Sequence, residues 1–510
     1  MKISQNIKDS LLLTSVFITG ASFLVVEILA IRMLSPYYGN TIYTTSSVIG
    51  TVLAALSLGY YIGGLLSDKH PHNRFFYGII LISGFLIILI NVLGSVLLPI
   101  LSVLLSISIG PIISSIFLFF IPAFFLGMLS PFAIKLYKKS SLNEIGEHSG
   151  KVLFWSTLGS ITGSFLSGFV LIPYFGISNI MLGTGILLVT WSLFWFFLSR
   201  EINNKILIFI VAIIILLLIF LYFSDKTNNN IIYSKDGVYE KIVIEDKEWK
   251  GHPTRFLYQD KSWSSAMFLD SEEMVFDYTK YYKLYTLFSK KPENILVIGG
   301  GAYSIPKALL NELAETNVFV SEIGPEYFEL AKKYFNLQDN KRLNSTTEDG
   351  RRLLTSNQQK YEAIINDAYY SIFSIPSHLT TKEFFFLAKS RLMENGAFIG
   401  NFAGSLDQQQ PSFIMSEIRT FKEVFPNSYF FAVQSPDYST PQNIIFLGIN
   451  GDKKIDFESK EIKYNKDPII ASLPEKNIDI NQFNLSLYKE ITDDFSPIEY
   501  LVSRDIKKFY

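Results

Sequence analysis

Residues 295–304 read ILVIGGGAYS. Four aliphatic residues run into three glycines, and SIPKALLNELAE (304–315) follows with its apolar positions at helical spacing. A strand that breaks into a glycine turn and then a helix is the opening of a nucleotide-binding βα unit. Glycines carry no side chain to hold a ligand off the backbone, and the start of the helix presents N–H groups to it. Glu322 closes the next apolar run, NVFVSE (317–322), 23 residues after Gly299, where a carboxylate accepts hydrogen bonds from ribose hydroxyls. Gly299, Gly300, Gly301 and Glu322 together predict an adenosine-type ligand; the competing reading is a tight turn serving structure alone.

Outward from that turn the pattern repeats. PEYFELAKKYF (325–335) reads as a helix, RLNSTT (342–347) as a short strand, YEAIINDAY (361–369) as a strand, TKEFFFLAKSRLMENG (381–396) as a helix closed by Gly396, and AFIGNF (397–402) as a strand. Strands alternating with helices predict a Rossmann-like α/β domain over 290–450, a parallel doubly wound sheet with ligands at the carboxyl ends of its strands. Two more acids fall at such ends. Asp349, in EDGRRLL (348–354), either takes an adenine amino group or caps the helix that follows. Asp367, in INDAYYS (365–371) beside Tyr369 and Tyr370, either orients and deprotonates an incoming nucleophile or caps its own turn.

Upstream, residues 231–276 alternate in short runs (VYEKIVIED, TRFLYQD, SAMFLD) that predict a small antiparallel β layer within a linker and β-rich subdomain at 225–289. Residues 451–510 form a C-terminal extension. The first 224 residues differ in kind. Apolar stretches near 10–34, 43–66, 75–96, 112–136, 152–174, 177–199 and 205–224 are each long enough to cross ~30 Å of hydrocarbon, which predicts about seven spans. The segment 97–111, short and bracketed by Pro99 and Pro111, reads as re-entrant or interfacial. An apolar fraction of 49% and a mean hydropathy of +0.27 fit a membrane-embedded portion.

Charge sets further bounds. A net charge of −1 leaves no basic surplus for a nucleic-acid partner. No cysteine is present, and the five histidines show no metal-binding spacing, so neither a disulfide framework nor a zinc centre is expected. Lys2, Lys8, Lys69, Arg74, Lys135, Lys138, Lys139, Lys151, Arg200 and Lys205 fall on alternate sides of the spans, which places the N-terminus in the cytoplasm of a multi-pass plasma membrane protein. Seven spans would then put residues 225–510 outside, away from most nucleotide pools, so the side of the soluble domain stays open. Gly159, Ser160, Gly163, Ser164, Ser167 and Gly168 form a small-residue stripe suited to close helix packing. Glu27 lies inside the first span, about 140° around the helix from Arg32, and is either a polar-cavity residue or a buried hydrogen-bonding one.

These pieces resemble a known family. The segments VYEKIVIED, FDYTKYYKLY, ILVIGGGAYSIPKAL, VSEIGPEYFELAKKYF, EDGRRLL, INDAYYSIFSIPSHLTTKEFF and TDDFSPIEYL are similar to spermidine synthases, the polyamine aminopropyltransferases. With ASFLVVEILAIRML, SLGYYIGGLLSD and FFLGMLSPFAIKLY, the chain resembles multi-pass membrane proteins carrying a spermidine-synthase-like domain. The resemblance implies attack of an amine on the aminopropyl carbon of decarboxylated S-adenosylmethionine, with Glu322 binding ribose, Asp349 adenine and Asp367 the attacking amine. It also implies self-association and no metal. Three positions depart from the family pattern: Ala302 stands for an acid after the glycines, Tyr370 for an acid three residues after Asp367, and Tyr278-Thr279 for a Tyr-His pair. His378, in the segment resembling the family's substrate gate, is either a base or a loop hydrogen-bonding group. Asp493 and Asp494 either supply a substitute acidic wall or cap a helix.

Two other readings follow from the departures. Loss of the acid at position 302 leaves room for a ligand carboxylate, as in a methyltransferase using intact S-adenosylmethionine. The apolar helices with Glu27 and the missing acids also suit a transporter or sensor that binds a nucleotide or polyamine without turnover.

Overall fold

The computed structural model describes residues 5–137, 145–199, 230–369 and 375–507. The chain divides into two units, Met1–Asn229 with Lys235–Glu240, and Asn230–Ser234 with Lys241–Tyr510.

Six helices of the first unit are long and apolar enough to cross a membrane: α1 (Gln5–Tyr38), α2 (Ile42–Lys69), α3 (Asn73–Leu104), α4 (Gly110–Leu136), α5 (Ile145–Tyr174) and α6 (Ile177–Ser199). They contain the first six predicted spans, and the seventh, 205–224, lies outside the described residues. The segment 97–111 is not a separate re-entrant element. Residues 97–104 are the last turns of α3 with Pro99 inside the helix, and Pro111 sits in the first turn of α4, where its missing N–H is not needed.

The small-residue stripe lies on α5 where that helix meets α1. A methyl group at Gly159 would sit 2.1 Å from the Phe17 carbonyl oxygen, and one at Gly163 2.3 Å from that of Ala21. Ser160 Oγ donates to the Gly20 carbonyl at 3.2 Å. Among the described residues no neighbour comes within 4 Å of a methyl group placed at Gly168. Glu27 is half-buried on α1 and forms no ion pair among the described residues, with Arg32 or otherwise.

In the second unit, β1 (Ile231–Asp236), β2 (Lys241–Trp249), β3 (His252–Gln259) and β4 (Ser262–Phe268) form a four-stranded sheet in that order, with β2, β3 and β4 antiparallel. A 3-10 helix, Asp277–Leu287, leads to the larger sheet. There the elements run β5 (Asn294–Ile298), α7 (Ser304–Glu312), β6 (Asn317–Glu322), α8 (Tyr327–Tyr334), β7 (Leu343–Thr347), α9 (Gly350–Ser356), β8 (Tyr361–Asn366), α10 (Lys382–Ser390), β9 (Leu392–Gly404), α11 (Phe413–Val424), β10 (Ser428–Ala432) and β11 (Gln442–Ile449).

The strand order is β10-β11-β9-β8-β5-β6-β7. β5 to β9 are parallel, as the alternation predicts, but β11 is antiparallel to β9 and β10 to β11. The sheet is therefore mixed, because a short loop without a crossover helix joins the last two strands. Successive residues of β5 face opposite layers: Ile295 and Val297 pack with α7 and α8, whereas Leu296 and Ile298 pack with α10 and α11.

One boundary differs from expectation. The helix predicted over 381–396 stops at Ser390, and Gly396 lies within β9 rather than closing the helix. Asn395 adopts a positive φ and the β8/β9 register shifts between Tyr361 and Ala363, so MENG is a bulge that lets β9 begin at Leu392. The extension at 451–510 feeds both cores, with Ile470 and Leu473 in one layer and Ile491 and Ile498 in the other.

Candidate active site

The glycine turn carries the chain from β5 into α7 around the buried ring of Tyr303. Gly299 has φ +91°, and a Cβ there would lie 2.5 Å from the carbonyl oxygen of Asp367, so only glycine lets the ends of β5 and β8 approach this closely. Tyr303, with φ +58°, is a fully buried aromatic residue in the left-handed region, immediately before α7. Its hydroxyl bonds Ser345 Oγ at 2.6 Å.

The turn's N–H groups already have acceptors within the fold. Glu322 Oε2 accepts from Gly300 N at 2.7 Å and Gly301 N at 3.0 Å, Glu322 Oε1 accepts from Gly324 N at 2.8 Å, and Ser265 Oγ accepts from Ala302 N at 3.1 Å. Burial pushes the Glu322 carboxyl above the usual range, against the pull of those backbone donors.

A narrow cleft opens beside the turn, lined among others by Ser264, Ser265, Tyr278, Gly300, Ser304 and Asp367. Ala302 is buried, and the serines of β4 stand where polarity would otherwise be missing. Asp367 follows β8, its N–H donating to the Ile298 carbonyl at 2.9 Å. Its Oδ1 accepts from Asn401 Nδ2 at 2.9 Å, and Asn401 Oδ1 in turn accepts from Asn443 Nδ2 at 2.9 Å. Burial pushes the Asp367 carboxyl up to about 7, and Asn401 only partly offsets that. Burial, followed by the charges of Asp367 and Tyr369, pushes the Tyr278 phenol well above its ordinary range. Tyr369 is clamped to β9, its hydroxyl donating to the Asn401 carbonyl at 3.0 Å and accepting from Ala403 N at 2.8 Å. Tyr370 lies outside the described residues.

A second group forms a rim. Asp349 caps α9, accepting from Arg352 N at 3.0 Å, and its other oxygen meets His378 Nε2 at 2.7 Å. Burial opposes its ionisation, but the His378 hydrogen bond and the backbone donors outweigh burial and hold the carboxyl below its usual range. Arg351 donates to the His378 carbonyl at 3.1 Å and clasps Asp493 in a two-pronged pair, which Thr381 Oγ1 joins at 2.7 Å. Asp493 thus fastens the C-terminal extension to α9 and α10, and Asp494 is exposed. The candidates therefore separate into cleft-lining residues (Gly299, Gly300, Asp367, Tyr278), residues packed behind them (Gly301, Glu322, Tyr369) and a rim group (Asp349, His378, Asp493).

Asn401, Asn443, Ser264 and Ser265 were not singled out in the sequence. An asparagine inside an otherwise apolar strand (AFIGNF) was the one available signal for Asn401.

The profile of the family described as "Spermine/spermidine synthase domain" matches residues 276–459. The chain carries a spermine/spermidine synthase domain, and it is a transferase. The chain is 28% identical over 218 residues to a polyamine aminopropyltransferase of Vibrio vulnificus, covering 40% of this chain and 68% of that one. A polyamine aminopropyltransferase of Bacillus cytotoxicus is 26% identical over 233 residues, with 45% and 80% covered. A crystal structure of a probable spermidine synthase from Corynebacterium glutamicum superimposes with TM-score 0.44 at 20% identity, over 51% of this chain and 96% of that one.

Proposed function

We propose that the protein is a membrane-bound aminopropyltransferase that moves the aminopropyl group of decarboxylated S-adenosylmethionine to an amine. The observation that carries this reading is Asp367: a carboxyl at a strand end, buried in the cleft beside the glycine turn, where burial pushes it up to about 7. The amine nitrogen's lone pair forms the new bond to the aminopropyl carbon; the carbon–sulfur bond breaks, and its electron pair stays on sulfur, releasing methylthioadenosine. Asp367 orients the amine and takes its proton, a task suited to a base whose pKa lies near neutral pH. Tyr278 walls the cleft beside it. Glu322 takes the ribose hydroxyls and Asp349 the adenine amino group. His378 and Asp493 hold the rim in place, and Tyr369 and Tyr370 flank the acceptor's path.

The reading includes an N-terminal membrane domain at 1–224, a linker and β subdomain at 225–289, the nucleotide-binding domain at 290–450 and the extension at 451–510. The six apolar helices and the distribution of lysine and arginine support a plasma-membrane protein with a cytoplasmic N-terminus. A polyamine is the acceptor class, and self-association accompanies it.

A second reading has one observation in its favour. Serines line the cleft where the family pattern has an acid, which suits the carboxylate of intact S-adenosylmethionine and therefore methyl transfer. Mass spectrometry on detergent-purified full chain, incubated with mixed amines and each nucleotide separately, decides. Methylthioadenosine from the decarboxylated form, with an amine heavier by one aminopropyl unit, supports aminopropyl transfer. Adenosylhomocysteine from the intact form overturns it in favour of methyl transfer.

A further inference from the structure

We infer that Asn443 and Asn401 form a two-amide relay that holds one oxygen of Asp367 and leaves the other free to receive the proton of the incoming amine. The inference rests on the reading of Asp367 as the proton acceptor and extends it to positioning residues outside the cleft wall. Asn401 lies on β9, 8% exposed, and Asn443 on β11. The antiparallel register pairs Asn401 with Ile445 and Asn443 with Ala403, so the two amides are diagonal neighbours on one face of the sheet.

An amide has a donor end and an acceptor end, and that polarity orders the chain. Asn443 Nδ2 donates to Asn401 Oδ1, which obliges Asn401 to turn its Nδ2 toward Asp367 Oδ1. A donor at that point favours the ionised carboxylate; an amide oxygen there would demand a protonated one. Among the described residues, Asn401 is the one side chain bonded to this carboxyl, so the state of Asp367 follows the orientation of Asn401, and that orientation follows Asn443. The peptide around Asp367 is separately fixed, by Ile298 on one side and by the Tyr369 hydroxyl seated on β9 on the other. Among the described residues, Tyr278 from the 3-10 helix and Tyr369 are the titratable groups that face the carboxyl, and Glu417 of α11 bears on Tyr369. None of them donates to Asp367 Oδ1.

The test uses the full chain in detergent with Asn443→Asp, Asn443→Leu and Asp367→Asn. Three readouts are taken from about pH 5.5 to 9: kcat and KM, nucleotide affinity, and the pH dependence of the thermal midpoint. In Asn443→Asp, the carboxylate at 443 accepts instead of donating. Asn401 then turns its oxygen to Asp367, the acid limb of kcat moves up by about one pH unit, and kcat at neutral pH falls roughly tenfold. Asn443→Leu removes the preference without reversing it, and its limb moves by less. Nucleotide affinity stays within about twofold in both, which certifies the fold and separates positioning from damage. An unmoved acid limb in both variants, with affinity intact, overturns the relay. The thermal profile reports the titration of Asp367 without turnover: a proton-linked slope that does not move in Asn443→Asp overturns the relay even where no acceptor amine has been found. Wild-type turnover in Asp367→Asn would instead refute the role of Asp367 itself.

Discussion

Asp349 and Asp367 stand at carboxyl ends of strands in the same sheet, with β5 and β6 between their strands, yet their surroundings drive them in opposite directions. At the rim, Asp349 meets His378 and backbone donors at the start of α9, and its carboxyl is held below the usual range. On the cleft floor, Asp367 has one amide donor, and burial pushes it up to about 7. The same side chain is thus a permanent anion in one place and a titrating group near neutral pH in the other. The balance between burial and the donors pointed at the carboxylate decides which, and it divides the work: a charged group binds and braces, whereas one that titrates near neutral pH moves protons.

The largest expected effect breaks the cleft side of this contrast. Asp367→Asn keeps the shape and removes the acceptor of the proton, so turnover falls by roughly 10²- to 10⁴-fold while nucleotide affinity stays within a few-fold. Single-turnover kinetics beside equilibrium nucleotide binding checks both halves. A proportionate loss of binding would place Asp367 among the nucleotide contacts and erase the division.

Glu322 sharpens the comparison, because it is buried like Asp367 but rich in donors like Asp349. Glu322→Ala leaves three backbone N–H groups of the turn region without their acceptor, each worth about 1–3 kcal/mol when buried. Nucleotide affinity drops by about 100-fold or more, and the thermal midpoint of this unit falls by roughly 5–10 °C. Calorimetry with and without nucleotide measures both. A variant that loses affinity without losing stability would show the turn to be self-supporting.

What could be read ahead of the structure was whatever rests on local pattern. The glycine turn, the acids at strand ends and the strand–helix alternation each arise within a dozen residues, where backbone sterics and periodicity dominate. The partners that tune those acids come from elsewhere in the chain. Asn443 reaches Asn401 only through the antiparallel register of β9 and β11, and His378 reaches Asp349 across 29 residues. Ser265 is supplied by a different sheet from the turn it caps. The bulge at Asn395 escaped notice for a related reason: MENG continues a helical pattern, and pairing with β8 overrides it. Pattern thus located the acids, but long-range pairing assigned their protonation.

A smaller effect is expected at the rim. His378→Ala removes the side-chain bond to Asp349 and leaves the cap on Arg352 N in place. The KM for the nucleotide shifts by about two- to fivefold with kcat unchanged, the opposite division from Asp367→Asn. Steady-state kinetics at saturating amine tests this, and a loss of kcat above tenfold would make His378 a participant in the chemistry.

The smallest effect is thermodynamic and separates the two carboxyls without turnover. Burial pushes Asp367 up to about 7 in the fold, against about 3.9 in an unfolded chain, so between those values the folded chain binds more protons and stability falls as pH rises. Asp367→Asn escapes that loss. Its thermal midpoint exceeds the wild type's by a margin that is small near pH 4, grows through pH 5–6 and levels off above about 7. Asp349 has the reverse sign, because its folded pKa is depressed: the stability it contributes is present above the unfolded value and is lost as pH falls through the folded one. Asp349→Asn therefore melts below wild type at neutral pH and converges with it toward about pH 3. Midpoints of both variants across pH must diverge from wild type in opposite directions, since a carboxyl that stabilises the fold by being charged cannot also be the one the fold keeps ready to take a proton.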